Sequence, residues 1–285
     1  MMLCCKVCGS NTVAIYGKFD ASTLFRCNSC NVIFRIDDAK IDYFEENEKS
    51  IAVWQEYERL YYSGRSVTYS KILDYLGAGN NKRLLDVGSA LGWFMEMAGT
   101  RGYEAWGIEP SKYVAPLGQA RTNRPVDIST VENIPHPANF FNVVTLFDVL
   151  EHTDDPKISL LEVKRTLSDD GMLVIRVPDT DGLLPIVSYW LYKVTLNKYL
   201  TPLRLLYRFH LWGFNKNSLH TLLDSVGFDI VNEYREDAQE LSAIRGKEWA
   251  RNSIVVNAVI AIIYFGRLLG RQDEIVIIAK KRANK

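Results

Sequence analysis

The cysteines of this chain are confined to its N-terminus, where their spacing is that of a metal site. All five lie within the first 30 of 285 residues. Cys5 and Cys8 form one Cys-x-x-Cys pair, Cys27 and Cys30 form another, and 18 residues separate the pairs. Each pair curls onto one ion, and together they supply the four thiolates that Zn²⁺ takes in a closed structural site. The pattern predicts a zinc ribbon over residues 1–40 and a reducing compartment.

Three questions about this ligand set stay open. Cys4 is a spare thiol that could replace Cys5, although the register of the pair favours Cys5. Iron in a rubredoxin-like site has the same four ligands as zinc. Unligated or redox-active cysteines are the remaining interpretation. Because four sulfurs fill the coordination sphere, we expect the metal to be structural rather than catalytic.

A second suggestive group follows a short apolar strand. Residues 84–87 are Leu-Leu-Asp-Val, and a loop of small residues containing Gly88 and Gly92 leads into a helix. Glycines let such a loop bring its backbone close to a ligand at the carboxyl end of a sheet. Glu109 ends the next predicted strand, 23 residues after Asp86. A carboxylate at that spacing accepts both hydroxyls of an adenosine ribose and repels a 2′-phosphate.

The elements that must position these residues alternate between strand and helix. Residues 41–80 show helical spacing and predict a helical lead-in of two helices, the second stopped by Gly77 and Gly79. Beyond it the alternation predicts an α/β domain over residues 81–285, and the family resemblance described below implies that its sheet is doubly wound, seven-stranded and Rossmann-like. Its clearest predicted strands are 84–87, 104–108, 171–178, 229–234 and 274–279, and the ribbon strands are 12–16, 23–26 and 32–35.

Two stretches exceed this minimal pattern, at about 183–212 and 237–271. Both are rich in large apolar residues with interleaved Lys and Arg, and the run 254–265 is continuously apolar apart from Asn257. That run is shorter than the ~20 apolar residues that span a bilayer. Two interpretations stay open: a helical lid packed on itself or on a second subunit in a homodimer, or a membrane-surface patch.

The balance of charged residues limits which classes of partner the protein can have. The 34 basic and 34 acidic residues balance, and no run of five basic residues occurs. Sequence-general nucleic-acid binding needs a basic field or a strong local patch, so we predict no nucleic-acid partner. The N-terminus has no apolar leader, which predicts a cytoplasmic protein, at the inner membrane face if the membrane interpretation holds.

The motifs together resemble those of class I S-adenosylmethionine (SAM)-dependent methyltransferases. Residues 84–92 match the family's first motif. Ile134-Pro135 followed by Phe141-Asn142, the stretch 146–156 (LFDVLEHTDDP), and the segment ending at Gly227-Phe228 resemble later ones. The resemblance covers roughly 60–235 and 273–282. Ala90 occupies a position where a dinucleotide-binding loop needs glycine, which argues against an NAD-dependent oxidoreductase.

The resemblance implies a SAM site. Asp148 is expected near the methionyl end of SAM, and Arg65 is a candidate partner for its carboxylate; a solvated helix charge is the alternative for Arg65. The family often has an acid where residues 129–133 stand, and Asn142 replaces an aspartate, so the adenine contact is left open. The implied cofactor-binding residues are Asp86, Gly88, Ser89, Gly92, Glu109, Pro110, Thr130, Val131, Asp148 and Arg65.

Methyl transfer needs alignment of nucleophile, methyl and sulfur, and exclusion of water. A hydroxyl acceptor also benefits from a base. His152 is the first candidate and His210 the second, with Asp148 completing the predicted catalytic set; for both histidines, hydrogen-bonded packing is the alternative.

The resemblance also suggests an acceptor. Sugar methyltransferases in which a four-cysteine zinc motif precedes this fold are known as a family, and their C-methylating members carry a further C-terminal domain that this chain lacks. We therefore expect O-methylation of a sugar, glycan or glycolipid hydroxyl. A quinone, isoprenoid or other small-molecule acceptor, and a non-catalytic ribbon and SAM-binding module, stay open.

Overall fold

A computed structural model describes residues 3–19, 22–36, 49–195, 210–237 and 254–282. Within these residues the chain forms eleven β-strands and seven α-helices. In chain order they are β1 (Val13–Phe19), β2 (Ser22–Cys27), β3 (Ile33–Arg35), α1 (Lys49–Leu76), β4 (Arg83–Val87), α2 (Trp93–Thr100), β5 (Glu104–Ile108), α3 (Ala115–Thr122), β6 (Val126–Asp127), β7 (Phe141–Phe147), α4 (Pro156–Thr166), β8 (Leu167–Pro178), α5 (Leu183–Val194), β9 (Trp212–Gly213), α6 (Lys216–Val226), β10 (Phe228–Glu236), α7 (Ile254–Leu268) and β11 (Glu274–Lys281).

In the described part of the chain the larger sheet has seven strands in the order β10-β11-β8-β7-β4-β5-β6. β4 runs parallel to both β5 and β7, and β5 runs parallel to β6. The centre of β4 and β7 is fully buried, which suits parallel strands covered on both faces. Strands β5 and β6 extend to one side of β4, whereas β7 and β8 extend to the other. The predicted α/β fold is confirmed, and the strand order reverses beside β4, where such sheets bind ligands.

The smaller sheet contains the ribbon. Its order is β1-β2-β3-β9, and each neighbouring pair is antiparallel. The three predicted ribbon strands are confirmed with bounds that differ by a few residues. β9, from much later in the chain, was not predicted; it pairs with β3, and the rings of Phe34 and Trp212 stack with centroids 5.6 Å apart.

Contacts along the chain divide it into two compact units. The first contains Met1–Ile41, Leu150–Lys157 and Arg176–Ile277. The second contains Asp42–Val149, Ile158–Ile175 and Ile278–Lys285. The ribbon therefore belongs to the first unit, and the glycine loop with Glu109 belongs to the second. The linear boundaries at residues 40 and 80 stay a prediction.

The lead-in differs from its prediction, because residues 49–76 form one helix rather than two. Gly64 lies inside α1 without ending it, since a single helical glycine costs only about 1 kcal/mol relative to alanine. Gly77 ends the helix as predicted: its φ is 77°, and its N–H donates to the Leu73 carbonyl at 2.9 Å. Gly79 serves packing instead, since a Cβ there would lie 2.4 Å from the Gly102 backbone. Residues 41–48 lie outside the described part.

The two insertions contribute helices α5 and α7 to the first unit, where they pack against each other. Apolar side chains remain exposed on both: Trp190 is 63% exposed, Val194 77% and Ile254 86%. Residues 196–209 and 238–253, the rest of the insertions, lie outside the described residues. Among the helices that are described, none combines the length and apolarity that crossing a bilayer requires.

Candidate functional site

Asp86 lies at the carboxyl end of β4 and is almost completely buried. Thr145 of the neighbouring β7 donates its hydroxyl hydrogen to Asp86 Oδ1 at 2.7 Å. Burial raises the pKa of Asp86 to about 7; Glu109 nearby adds to the rise, and the Thr145 hydrogen bond opposes it. Asp86 is therefore a carboxyl group that can hold its proton near neutral pH.

Glu109 is held by two backbone N–H groups, one on each carboxylate oxygen. Ala90 donates to Oε2 and Ser111 donates to Oε1, both at 3.1 Å. The side chain is buried, and burial raises its pKa. Each carboxylate oxygen has two lone-pair sites, so one site per oxygen remains for a further donor. This geometry fits the two hydroxyls of a ribose, the role predicted for Glu109.

The loop between β4 and α2 turns through left-handed backbone at Gly88, Ala90 and Gly92, with φ values of 69°, 45° and 77°. Glycine adopts this region without steric cost, whereas alanine there is strained. A Cβ at Gly88 would lie 2.6 Å from Val149, and one at Gly92 would lie 2.7 Å from Thr122. The glycines are thus needed for the turn and for packing within the protein, and the close approach of a ligand to them stays a prediction.

Asp148 directly follows β7 and also has left-handed backbone, with φ 56°. Its carboxylate forms a hydrogen-bonded ion pair with the Arg65 guanidinium of α1, and both side chains are at most one-fifth exposed. The alternative of Arg65 as a solvated helix charge is wrong. Two residues assigned separately to the methionyl end of SAM thus meet, and strained backbone held by such a pair is a feature of functional sites.

The remaining predicted cofactor residues lie on the loops after β4, β5 and β6. Ser89 is buried, and among the described residues its Oγ has no hydrogen-bond partner. Pro110 and Thr130 are exposed, whereas Val131 is buried in a single helical turn. These placements leave the roles of all four residues as predictions.

Two departures from the family pattern have structural explanations. Asn142 Oδ1 accepts the Arg83 backbone N–H at 2.9 Å, so the amide does hydrogen-bond although it carries no charge. Glu132, the acid in the stretch left open for adenine, accepts a hydrogen bond from the Ser159 hydroxyl at 3.0 Å. Glu132 is thereby bound within the protein.

The four predicted metal ligands converge in the ribbon. The sulfurs of Cys5, Cys8, Cys27 and Cys30 all lie within 4.8 Å of one another. Cys5 and Cys30 approach to 3.7 Å, and Cys8 and Cys27 to 3.5 Å. Tetrahedral zinc with bonds of 2.3 Å separates its sulfurs by roughly 3.8 Å, so the cluster fits. The hydrogen bond from Cys30 lowers the pKa of Cys5 to about 5. Cys4 is exposed and lies outside the cluster.

The two predicted catalytic histidines lie together in the first unit, in edge-to-face contact with ring centroids 4.8 Å apart. Glu151 adjoins them: its Oε1 is 3.9 Å from His152 Nε2, and its side chain is 1% exposed. The three side chains bring their ligand atoms within 4.8 Å of one another. Glu151 is next to His152 in the chain, but His210 is 58 positions further on, so their spacing alone does not predict that the two histidines meet.

Sequence reasoning missed three residues that organise the second unit's site. Ala90 and Ser111 orient Glu109 through their backbones, which no side-chain pattern reveals. Thr145 holds Asp86, and a lone hydroxyl in the apolar strand β7 was the available signal.

Comparisons with known proteins agree with this geometry. A family model described as a methyltransferase domain matches residues 61–233. A tRNA U34 carboxymethyltransferase from Saccharophagus degradans is 30% identical over 124 residues, which are 41% of this chain and 38% of that protein. One from Vibrio cholerae is 26% identical over 190 residues, 64% of this chain and 55% of its own length. The chain thus spans about half or less of these curated relatives.

Among solved structures, a SAM-dependent methyltransferase from Archaeoglobus fulgidus superposes with a TM-score of 0.55 at 21% identity. The superposition covers 80% of this chain and 99% of that one. At this identity the likeness shows the fold.

Proposed function

We propose that this chain, which belongs to the methyltransferase domain family, is a SAM-dependent methyltransferase whose acceptor is a hydroxyl of a sugar in a glycan or glycolipid. The observation that carries the cofactor assignment is the orientation of Glu109. Two backbone N–H groups fix both of its oxygens at the end of β5, and one lone-pair site per oxygen is left for a ribose.

When bound, SAM supplies a methyl group on a sulfonium that is already a good leaving group. The protein's own residues bind and align. Glu109 accepts the ribose hydroxyls, and Arg65 pairs with the carboxylate of the methionyl end. Asp148 holds Arg65 in place through their ion pair and is itself oriented by left-handed backbone.

His152 and His210 are proposed to act on the acceptor. Their two imidazole rings are in contact in the first unit. A neutral imidazole near pH 7 can take the proton of an acceptor hydroxyl. His152 also follows Asp148 by four residues in the chain. His152→Gln is therefore expected to lower kcat about 100-fold or more while SAM affinity stays within twofold.

Two features favour a glycolipid, one for its sugar and one for its lipid. The four-cysteine ribbon before this fold resembles that of sugar methyltransferases. The apolar side chains exposed on α5 and α7 could rest on a membrane surface while Lys193 meets anionic head groups. We also propose that zinc occupies the four-cysteine cluster as a structural ion.

Calorimetric titration with SAM tests the cofactor assignment. Glu109→Ala removes two charge-assisted hydrogen bonds and is expected to weaken binding about 100-fold. Glu104→Ala is the matched control, because Glu104 lies at the other end of β5 with its side chain 47% exposed. Equal affinities of the two variants would contradict the role of Glu109.

The acceptor is tested by transfer of labelled methyl from SAM to a panel of glycolipids, oligosaccharides, quinones and tRNA. Labelling of a sugar oxygen is expected. Labelling of a quinone or of tRNA instead would overturn the sugar proposal. The tRNA arm is included because the curated relatives bear that name, although this chain carries no net charge. SAM binding without labelling of any acceptor would favour a non-catalytic module.

A further inference from the structure

We propose that Glu151, His152 and His210 form a second metal site, for a divalent transition-metal ion such as Zn²⁺ or Co²⁺, separate from the ribbon's four cysteines. The three side chains bring one carboxylate oxygen and two imidazole nitrogens within 4.8 Å of one another. Two imidazoles and one carboxylate are a donor set that binds zinc and other first-row ions while leaving a position open.

The geometry requires little movement to bind an ion. Ligands of a tetrahedral ion with bonds near 2.05 Å lie roughly 3.3 Å apart, so separations of up to 4.8 Å need a contraction that side-chain rotation can supply. Glu151 Oε1 and His152 Nε2 are already 3.9 Å apart. The two rings are in edge-to-face contact, with an interplanar angle of 77° and centroids 4.8 Å apart, so the imidazoles already adjoin each other.

The backbone holds the two contributing segments together. Leu211, next to His210, donates its N–H to the Glu151 carbonyl at 2.8 Å. The Trp212 indole donates to the Thr153 carbonyl at 2.7 Å, and the Leu211 carbonyl accepts the Arg35 N–H at 3.1 Å. These hydrogen bonds hold the segment that carries Glu151 and His152 beside the segment that carries His210 before any ion binds. Such preorganisation lowers the entropic cost of binding.

Burial is graded across the cluster. The Glu151 side chain is 1% exposed, whereas that of His152 is 29% exposed and His210 is half-buried. A divalent ion bound there would interact favourably with this buried carboxylate, because Coulomb attraction is stronger away from water. The exposed side of the histidines leaves room for water or a substrate oxygen as a further ligand.

An ion here would have a chemical use, and that consequence, unlike the site itself, rests on the proposed function. A divalent ion lowers the pKa of a hydroxyl or water that binds to it. An acceptor hydroxyl bound at this ion would lose its proton to solvent water more easily, and the two histidines would then hold the ion instead of taking the proton themselves.

The test uses the full chain with its ribbon first saturated with zinc. Co²⁺ alone, without SAM, is then titrated and followed by calorimetry and visible absorption. We expect one further equivalent to bind, with a spectrum of nitrogen and oxygen ligands and without the thiolate charge-transfer band that exchange into the ribbon would produce.

Variants assign the ligands. His210→Gln and Glu151→Gln are each expected to weaken this binding at least 10-fold. His220→Gln is the matched control, because His220 pairs with Glu233 at 2.6 Å in the same unit and is expected to leave Co²⁺ affinity unchanged. Thermal unfolding confirms that each variant is folded, and His152→Gln supplies an independent ligand deletion if one variant fails to fold.

The proposal is overturned if the zinc-loaded protein binds no further Co²⁺, in which case the cluster is an ordinary ion pair. It is also overturned if the second equivalent binds equally well in all three ligand variants. Methyl transfer is measured separately, so a chain that binds Co²⁺ here but methylates no sugar supports the metal site and refutes only the acceptor.

Discussion

The ribbon and the glycine-loop region hold their functional groups in different ways. The ribbon has a small apolar core, in which Leu24 and Ile33 are buried while Ile15 of β1 is 63% exposed. Around Asp86 and Glu109 the strands are closely covered, and Leu84, Leu85 and Val144 are fully buried. Apolar burial of this kind stabilises a site without any ligand, whereas a small ribbon depends on its metal. We therefore expect the stability of the two regions to respond differently to loss of a ligand and to changes in charge.

Disrupting the zinc site proposed for the ribbon should have the largest effect. Structural zinc contributes on the order of 10 kcal/mol to small metal domains, so Cys27→Ser is expected to unfold residues 5–35. Hydrogen exchange would show loss of protection in β1 to β3. Cys4→Ser, the spare thiol, is the control and should leave protection intact. If β1 to β3 of Cys27→Ser kept their protection from hydrogen exchange, the ribbon would not depend on a metal and would not differ from the glycine-loop region in this respect.

Raising the pH should destabilise the second unit through Asp86. Its pKa of about 7 when folded exceeds the value of about 4 expected when unfolded, so the folded chain holds an extra proton between these values. Stability therefore falls as pH rises from 4 to 7, by up to about 4 kcal/mol. Asp86→Asn should remove most of this fall, because the amide does not titrate; its oxygen can still accept the Thr145 hydrogen bond, and Glu109 accounts for the remainder.

Chemical denaturation at pH 4 and pH 8 measures the difference. The control is Asp169→Asn, whose side chain is 86% exposed. If Asp86→Asn and wild type lose stability in parallel with pH, Asp86 is not the group responsible.

Glycine substitutions separate backbone strain from packing. Gly92 and Gly77 share a φ of 77°, but a Cβ at Gly92 would lie 2.7 Å from Thr122, whereas nothing lies within 4 Å at Gly77. Gly77→Ala should cost about 1 kcal/mol from backbone strain alone. Gly92→Ala should cost about 2 kcal/mol more. Equal losses in thermal unfolding would show that the loop yields to the added methyl group.

The smallest expected effect concerns Arg65. Arg65→Ala removes a partner of the SAM carboxylate and leaves Asp148 uncompensated, so we expect SAM affinity to fall about 10-fold. Arg101→Ala provides the comparison, because Arg101 pairs with Asp74 at 2.6 Å on the exposed surface. Unchanged affinity in Arg65→Ala would leave Arg65 as a structural partner of Asp148 only.

The sequence alone predicted much of this protein, because some signals are short in range. The Cys-x-x-Cys pairs, the small-residue loop before Glu109 and the alternation of strand and helix each depend on spacings that the chain carries locally. The helical lead-in was the weaker inference. Gly77 and Gly79 both suggest the end of a helix in the sequence, but only Gly77 ends one, whereas Gly79 packs against the backbone of Gly102.

Local spacing determined the α/β fold class, the convergent cysteines and the acid at position 109. Only the tertiary structure decided that Ala90 would adopt left-handed backbone to hold that acid, that Arg65 would meet Asp148, and that His210 would lie beside His152. The physical reason is the distance along the chain between the interacting residues. Periodicity and motif spacing report on neighbours along the chain, whereas the partners of a buried charge are chosen by the packing that brings distant segments together.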